Sequence, residues 1–354
     1  MRLAALILSC LLVACAPQTP TGVTTLLYAS PYAPNHPFSV ADRAWMSWVE
    51  QHSGGTLRIR AIWSGALLSS DQSMIELRHG VADIGLITPI YARGGVQLLR
   101  TQTGFYSGAK TFEQQVALYR CLAAAFPEIH RELRGLHVLA IQGGSLPGIL
   151  TRTRPVLALE DLHGLRIRAP TELLGVLRDL GADPVDMPMG EVYSALAKGV
   201  LDGVVAPPDT LKSLHFAEVA KYFSRLEIPR GAYPARAMGE RRWNALTPQA
   251  RSVLEASTAV WETALAQQTQ AAVAAGAVFG QHQGVQFFPI AAAEQQRFDA
   301  LYDRAGQSNA RALSLYGIDG LAVFSYARRL AVGIEETGQC TCSRGIQANE
   351  NAAL

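Results

Sequence analysis

Between Leu159 and Tyr222 the chain reads LEDLHGLRIRAPTELLGVLRDLGADPVDMPMGEVYSALAKGVLDGVVAPPDTLKSLHFAEVAKY, and no other stretch narrows the fold as much. Leu165 and Ile167 alternate there with Arg166 and Arg168. A two-residue period of apolar and charged side chains predicts a short strand, because successive strand side chains point to opposite faces. Ala169-Pro170-Thr171 stops it, and the stretch from Glu172 to Leu180 has helical spacing. An arginine at a strand end, with a helix start close by, stands at the sheet edge where ligands sit in open α/β folds.

The same alternation of element types runs through the rest of the chain. Strand-like runs (Thr24 to Ala29, Leu57 to Trp63, Asp83 to Thr88, Leu136 to Gln142) are separated by helical ones, Phe38 to His52 and Asp71 to His79 among them. The fold class is therefore α/β. Val40, Ala44, Trp45, Trp48 and Val49 fall on one helical stripe, which reads as a core face rather than an aromatic ligand cage. At 354 residues the chain has room for two cores. Gly143-Gly144-Ser145-Leu146-Pro147-Gly148 is backbone-permissive and suits a crossover between two lobes; Pro229-Arg230-Gly231-Ala232-Tyr233-Pro234 suits a second. The expected lobes are 24–147 with about 236–275, and 148–235 with about 285–336, followed by a disordered tail over 337–354.

Pro248 to Gln283 has a proline in its first turn and then apolar residues at helical intervals. Unbroken, it spans about 50 Å, enough to lie across both lobes. Gly276 and Gly280 are the places where it is expected to fray or kink. Further helices are expected over Glu294 to Arg304, Asn309 to Leu315 and Gly320 to Ile334, with a strand at Val285 to Phe288.

Charge and composition narrow the partners. A net charge of +2 with 17% charged residues offers no basic stripe for nucleic acid and no acidic block. Met1-Arg2, the apolar Leu3 to Val13 and the sequence LVAC ending at Cys15 form a secretory leader, too short to span a bilayer. Two processing outcomes stand: cleavage before Cys15 with lipidation of that residue, which is the expectation here, or ordinary cleavage near Ala16. Either puts the body outside the cytoplasm, in the periplasm. Cys121, Cys340 and Cys342 remain besides the anchor; a disulfide from Cys121 to one of the tail cysteines is permitted there, and the sequence does not assign it. The Cys-Thr-Cys pair lacks the further ligands a structural metal needs, and no metal or cofactor is expected.

Four blocks in order, DLHGLRIR (161–168), LGADPV (180–185), EVYSAL (191–196) and GVLDG (199–203), resemble the solute-binding proteins of TRAP transporters, the tripartite ATP-independent periplasmic family; ELRHGVADIG (76–85) and RWNALTP (242–248) extend the resemblance to residues 24–335. It implies a periplasmic-binding-protein-like fold with two lobes built on central sheets, hinge crossovers and a long spanning helix. It also implies the function: capture of a small organic carboxylate and delivery to a membrane permease. The arginine of the Gly-Leu-x-x-Arg block, Arg168 here, pairs in that family with the ligand carboxylate. A guanidinium can do this with two parallel charge-assisted bonds, which lysine cannot. A plain ion pair of Arg168 with Glu172 or Glu191 is the competing reading. Arg152 is a candidate second clamp. Where better-known members continue Asp-Gly with Gln-Glu-Asn-Pro, this chain has Val204-Val205-Ala206-Pro207; Ala206 and Pro207 then make an apolar wall, favouring a small monocarboxylate, oxo, hydroxy or aromatic acid over a sugar acid. Glu191 and Tyr193 at a helix start, and Tyr91 and Trp63 at strand ends of the first lobe, complete the candidate site. Asp209 reads as a helix N-cap.

Catalytic patterns are missing: there is no Gly-x-Ser-x-Gly elbow, dinucleotide or phosphate loop, or His-Glu-x-x-His pair. A receptor-linked ligand sensor is the alternative function, and an enzyme on the same fold a more remote one.

Overall fold

Alternating strands and helices gather into two lobes, each with its own mixed sheet. The computed structural model describes residues 22–342, so the leader and Cys15 lie outside the described residues. In chain order the strands are β1 (Thr24–Ala29), β2 (Leu57–Ile62), β3 (Ile84–Leu86), β4 (Leu136–Gln142), β5 (Gly148–Thr151), β6 (Arg166–Arg168), β7 (Asp183–Val185), β8 (Gly203–Ala206), β9 (Tyr222–Arg225), β10 (Tyr233–Gly239) and β11 (Gln286–Pro289). The first lobe has the order β2-β1-β3-β10-β4, the second β11-β9-β5-β8-β6-β7. Interior strands β3, β5 and β8 are buried along their whole length, so they are short continuous apolar runs rather than alternating ones. The chain passes between the sheets at 143–147, from β4 to β5, and at 226–232, from β9 to β10, the two Gly/Pro-rich stretches.

Pro248–His282 is one unbroken helix of 35 residues, started by Pro248 and by the Thr247 hydroxyl, which accepts from the Ala250 N–H. Along its first half it packs on the helix Pro37–His52, where Trp261 stacks on Trp45 with ring centroids 3.6 Å apart. The buried face of that first helix is Ala41, Asp42, Trp45, Met46 and Val49, while Ala44 is exposed. The core reading of the stripe holds for Trp45 and Val49; its centre moves because a buried acid, Asp42, belongs to it. Gly276 and Gly280 both lie inside the long helix, which runs on to His282. A Cβ at Gly276 would lie 2.3 Å from the Pro208 carbonyl oxygen, so the missing side chain lets the helix backbone close on the loop after β8.

Three expectations about the C-terminal third change. Helices expected at Glu294–Arg304 and Asn309–Leu315 are one, Ala292–Ala312, followed by a 3-10 turn at Leu313–Tyr316. It starts on the second lobe, burying Phe298 and Tyr302, and ends on the first, where Ala310 and Leu313 are buried. The closing helix Gly320–Thr337, expected with the second lobe, packs on the first: Val323, Tyr326, Ala327, Leu330 and Ile334 join the core that holds Leu118 and Leu122. Nor is the start of the tail loose, because Cys342 is disulfide-bonded to Cys121, 221 residues earlier, with Cys340 left as a thiol. Residues 343–354 of the expected tail lie outside the described residues. Among the described residues no helix is long and apolar enough to cross a membrane.

Candidate ligand-binding site

The lobes present strand ends to a shared gap. From the second lobe come the C-terminal end of β6 (Arg168), the end of β8 (Val205, Pro207) and Pro147, just before β5; from the first come Tyr32, Phe38 and the 3-10 turn after β3, with Ile90 and Tyr91. They enclose an interlobe space of about 930 Å³, counting its open mouth.

Arg168 is 2% exposed. Its Nε donates to the Met187 carbonyl at 2.9 Å, and one Nη2 hydrogen goes to the Tyr91 hydroxyl at 2.8 Å, a contact from lobe to lobe. The guanidinium also lies 5.7 Å from the centre of the Tyr91 ring, within cation–π range. Among the described residues no carboxylate pairs with it, neither Glu172 nor the exposed Glu191. A buried cation is thus oriented by two neutral acceptors, with no other hydrogen-bond acceptor for it among the described residues.

A two-lobed α/β body of this kind is also what known proteins of one family have. The family model described as bacterial extracellular solute-binding protein, family 7, matches residues 29–310. The chain belongs to that family. It is a DctP-like solute-binding protein of the TRAP type, a family of binding proteins and not of enzymes. A solute-binding protein of Albidiferax ferrireducens is 28% identical over 184 residues, 51% of this chain and 53% of that one, so this chain spans about half of that relative's length. Among solved structures, a TRAP periplasmic solute-binding protein of Desulfovibrio salexigens in an open complex is 25% identical with a TM-score of 0.71, covering 90% of this chain and 98% of that one. A TRAP solute-binding protein of Rhodoferax ferrireducens with copurified benzoate has a TM-score of 0.80 at 24% identity, covering 90% and 100%.

Within this solute-binding protein, Arg168, Tyr91 and Pro207 lie together on the cavity wall, and the other sequence candidates do not. Arg152 follows β5, which runs antiparallel to β8, so it emerges at the end of the sheet away from the cavity, beside Gly199. Trp63 follows the outermost strand, β2, and meets the edge of Tyr28 at 5.6 Å in the first lobe's core. Glu191 is exposed, and the Tyr193 hydroxyl donates to Glu218 at the surface. Ala206 is buried among Val192, Leu196 and Leu211, since the two-residue period that turns Val205 to the cavity turns Ala206 away.

Among the cavity residues not singled out as ligand groups are Arg230, Glu172, Asp209 and Thr269. Arg230 stands in the second crossover, and a Cβ at Gly144 in the first would sit 2.5 Å from its guanidinium carbon; the PRG and GG sequences of the two hinges were the available signal. Asp209 occupies an N-cap position but makes no side-chain cap bond. Burial pushes its carboxyl up to about 6, against the field of Arg230. Burial also drives the His36 imidazole down to about 3, with Arg236 adding to the effect, so this histidine is neutral at pH 7. Among the described residues no cluster of three His, Cys, Asp or Glu could hold a metal.

Glu172 has the largest of these carboxyl shifts. Burial raises it to about 7, although its own backbone N–H and Arg168 pull the other way. The folded protein then holds this proton more tightly than the unfolded chain does. The resulting stabilisation is full below the ordinary carboxyl value of 4.5 and is lost as pH rises through about 7. At about 1.4 kcal/mol per unit, and discounted because the cavity admits water, ionisation costs on the order of 2 kcal/mol. Ligand-free Glu172→Gln should therefore melt roughly 3–6 °C above the parent at pH 8 and close to it at pH 5. An offset equal at both pH values would mean that the carboxyl is not held neutral.

Proposed function

We propose that the protein captures a small organic acid between its lobes by clamping the carboxylate on Arg168, and delivers it to a TRAP permease from outside the cytoplasm. The observation that carries this is the state of Arg168: a buried cation, aimed by a carbonyl and a hydroxyl, with no ion-pair partner among the described residues. An uncompensated charge in such a place is costly, and an arriving carboxylate removes the cost with two parallel hydrogen bonds. Because Tyr91 belongs to the first lobe and Arg168 to the second, the grip tightens as the lobes close and water leaves, giving the permease a closed form to recognise. Pro170, Leu173, Val205 and Leu214 make much of the wall apolar, which suits an acid with an apolar body. Benzoate, held by the Rhodoferax relative, is such an acid. Cys15 in the LVAC sequence is the proposed lipid anchor.

Native mass spectrometry of the purified protein, followed by denaturation and identification of what is released, tests this reading. A small carboxylic acid is expected. A neutral or cationic solute would overturn it, as would an empty protein whose melting point no organic acid raises.

A further inference from the structure

Three cysteine sulfurs meet where the closing helix is fastened to the first lobe, and the bond uses two of them. Cys121, on the helix Phe112–Ala125, is 1% exposed and is bonded to Cys342, which is exposed. The remaining thiol, Cys340, lies 4.0 Å from Sγ of Cys121 and packs against the first lobe's core. Hydrogen bonds set its place. Gln114, on the same helix as Cys121, donates from Nε2 to the Gly338 carbonyl at 3.2 Å, and the Gln339 N–H donates to the Thr337 hydroxyl at 3.2 Å. A thiol held there needs about 2 Å of movement to reach bonding distance of the Cys121 sulfur.

A disulfide exchanges when a thiolate attacks one of its sulfurs and expels the other as a thiolate. Here the two targets are unequal. Attack on Cys342 would expel the Cys121 thiolate into the core, where it loses its hydration, whereas attack on Cys121 expels Cys342 into water. The close contact and the solvation of the leaving group therefore select the same sulfur, that of Cys121. The product pairs Cys121 with Cys340, so the closing helix stays fastened. The old and new bonds join residues 221 and 219 positions apart, and loop entropy does not choose between them. Burial pushes the Cys340 thiol up, which keeps its thiolate scarce and the exchange slow at neutral pH.

We infer that Cys340 is the attacking thiol of an exchangeable clasp, and that exchange makes Cys342 a modification site for small disulfides. In the first step the Cys340 thiolate bonds to Sγ of Cys121, the Cys121–Cys342 bond breaks, and its electron pair leaves on Cys342. In the second, the exposed Cys342 thiolate bonds to one sulfur of a small disulfide RSSR and expels the thiolate RS⁻. Each step makes one disulfide and breaks one, so no oxidant besides RSSR is consumed.

Thiol trapping in the parent protein tests this. The protein is held for a day at pH 8.5 without added thiol, then trapped at pH 6 with N-ethylmaleimide, and fragmentation of its peptides in the mass spectrometer locates the label. One label per chain is expected, shared between Cys340 and Cys342, with about a tenth or more on Cys342 because the two bonds close loops of nearly equal length. Glutathione disulfide in place of the maleimide should add one glutathionyl group, on Cys342, and none in Cys340→Ser, which lacks the attacking thiol. Cys342→Ser should still form a disulfide, now between Cys121 and Cys340. A label confined to Cys340 or found on Cys121, a glutathionyl group on Cys340, modification of Cys340→Ser equal to that of the parent, or two free thiols in Cys342→Ser would overturn the inference.

Discussion

Arg168→Ala should lose affinity for the bound acid by roughly 30- to 3,000-fold while melting within a few degrees of the ligand-free parent protein. The large binding effect follows from burial. At 2% exposure the guanidinium meets the ligand in a place from which water is mostly excluded, so truncation leaves a carboxylate desolvated and unpaired. The small stability effect follows from the partners: Arg168 forms no ion pair among the described residues, and its removal frees only the Met187 carbonyl and the Tyr91 hydroxyl, beside the cavity. Arg168→Lys should recover little, because an ammonium can offer one carboxylate a point charge but not the planar fork. Titration calorimetry and thermal melting, with and without the copurified acid, separate the outcomes. Near-parental affinity in Arg168→Ala would place the carboxylate elsewhere in the cavity, with Arg230 as the next group to test.

Much of the architecture was legible because it depends on local rules. Strands β1 and β4 have the bounds that their apolar pattern gives, and the long helix begins at the proline that marks its first turn. Arg168 could be read for the same reason: alternation with Leu165 and Ile167 defines β6, and a strand end next to a helix start is where a parallel sheet opens. Direction within the sheet was not legible. Arg152 and Arg168 both sit at strand ends, but β5 runs against β8 while β6 runs with it, so one arginine reaches the cavity and the other the far side. Trp63 fails for a similar reason, since its strand is outermost. Asp209 was read by its local role as a helix cap; that the long helix would press at Gly276 on the Pro208-Asp209 backbone was not visible in the sequence. The closing helix carries an apolar stripe that would suit either lobe, and the choice is made by the helix Phe112–Ala125 and by the Cys121–Cys342 bond.

The largest stability loss is expected away from the ligand, at Asp42. This carboxylate is fully buried in the first lobe and accepts three hydrogen bonds, from Arg236 Nε at 2.9 Å, the Tyr28 hydroxyl at 2.5 Å and Trp261 Nε1 at 2.8 Å, while Arg236 Nη2 lies 2.9 Å away as an ion-pair contact. The arginine is fully buried as well, with Nη1 donating to Gln142 at 2.6 Å and its guanidinium over the rings of Phe38 and Trp261. Burial alone would pull the Arg236 guanidinium down, but Asp42 and Tyr28 outweigh it and hold the group raised. Five elements converge here, β1, the first helix, β4, β10 and the long helix, so the pair locks the first lobe's sheet to the helices that cover it. Asp42→Asn keeps the shape, removes the charge and strands a cation with no route to water. The expected cost is about 3–5 kcal/mol, a melting point lower by roughly 6–12 °C. Replacing both partners, Asp42→Leu with Arg236→Met, should cost less than Asp42→Asn alone, because no charge is then left unpaired; it should not return to the parent value, since Tyr28 and Trp261 lose their acceptor. A double variant less stable than the single one would mean that the stability at this site comes from hydrogen bonds to Asp42 and not from charge pairing.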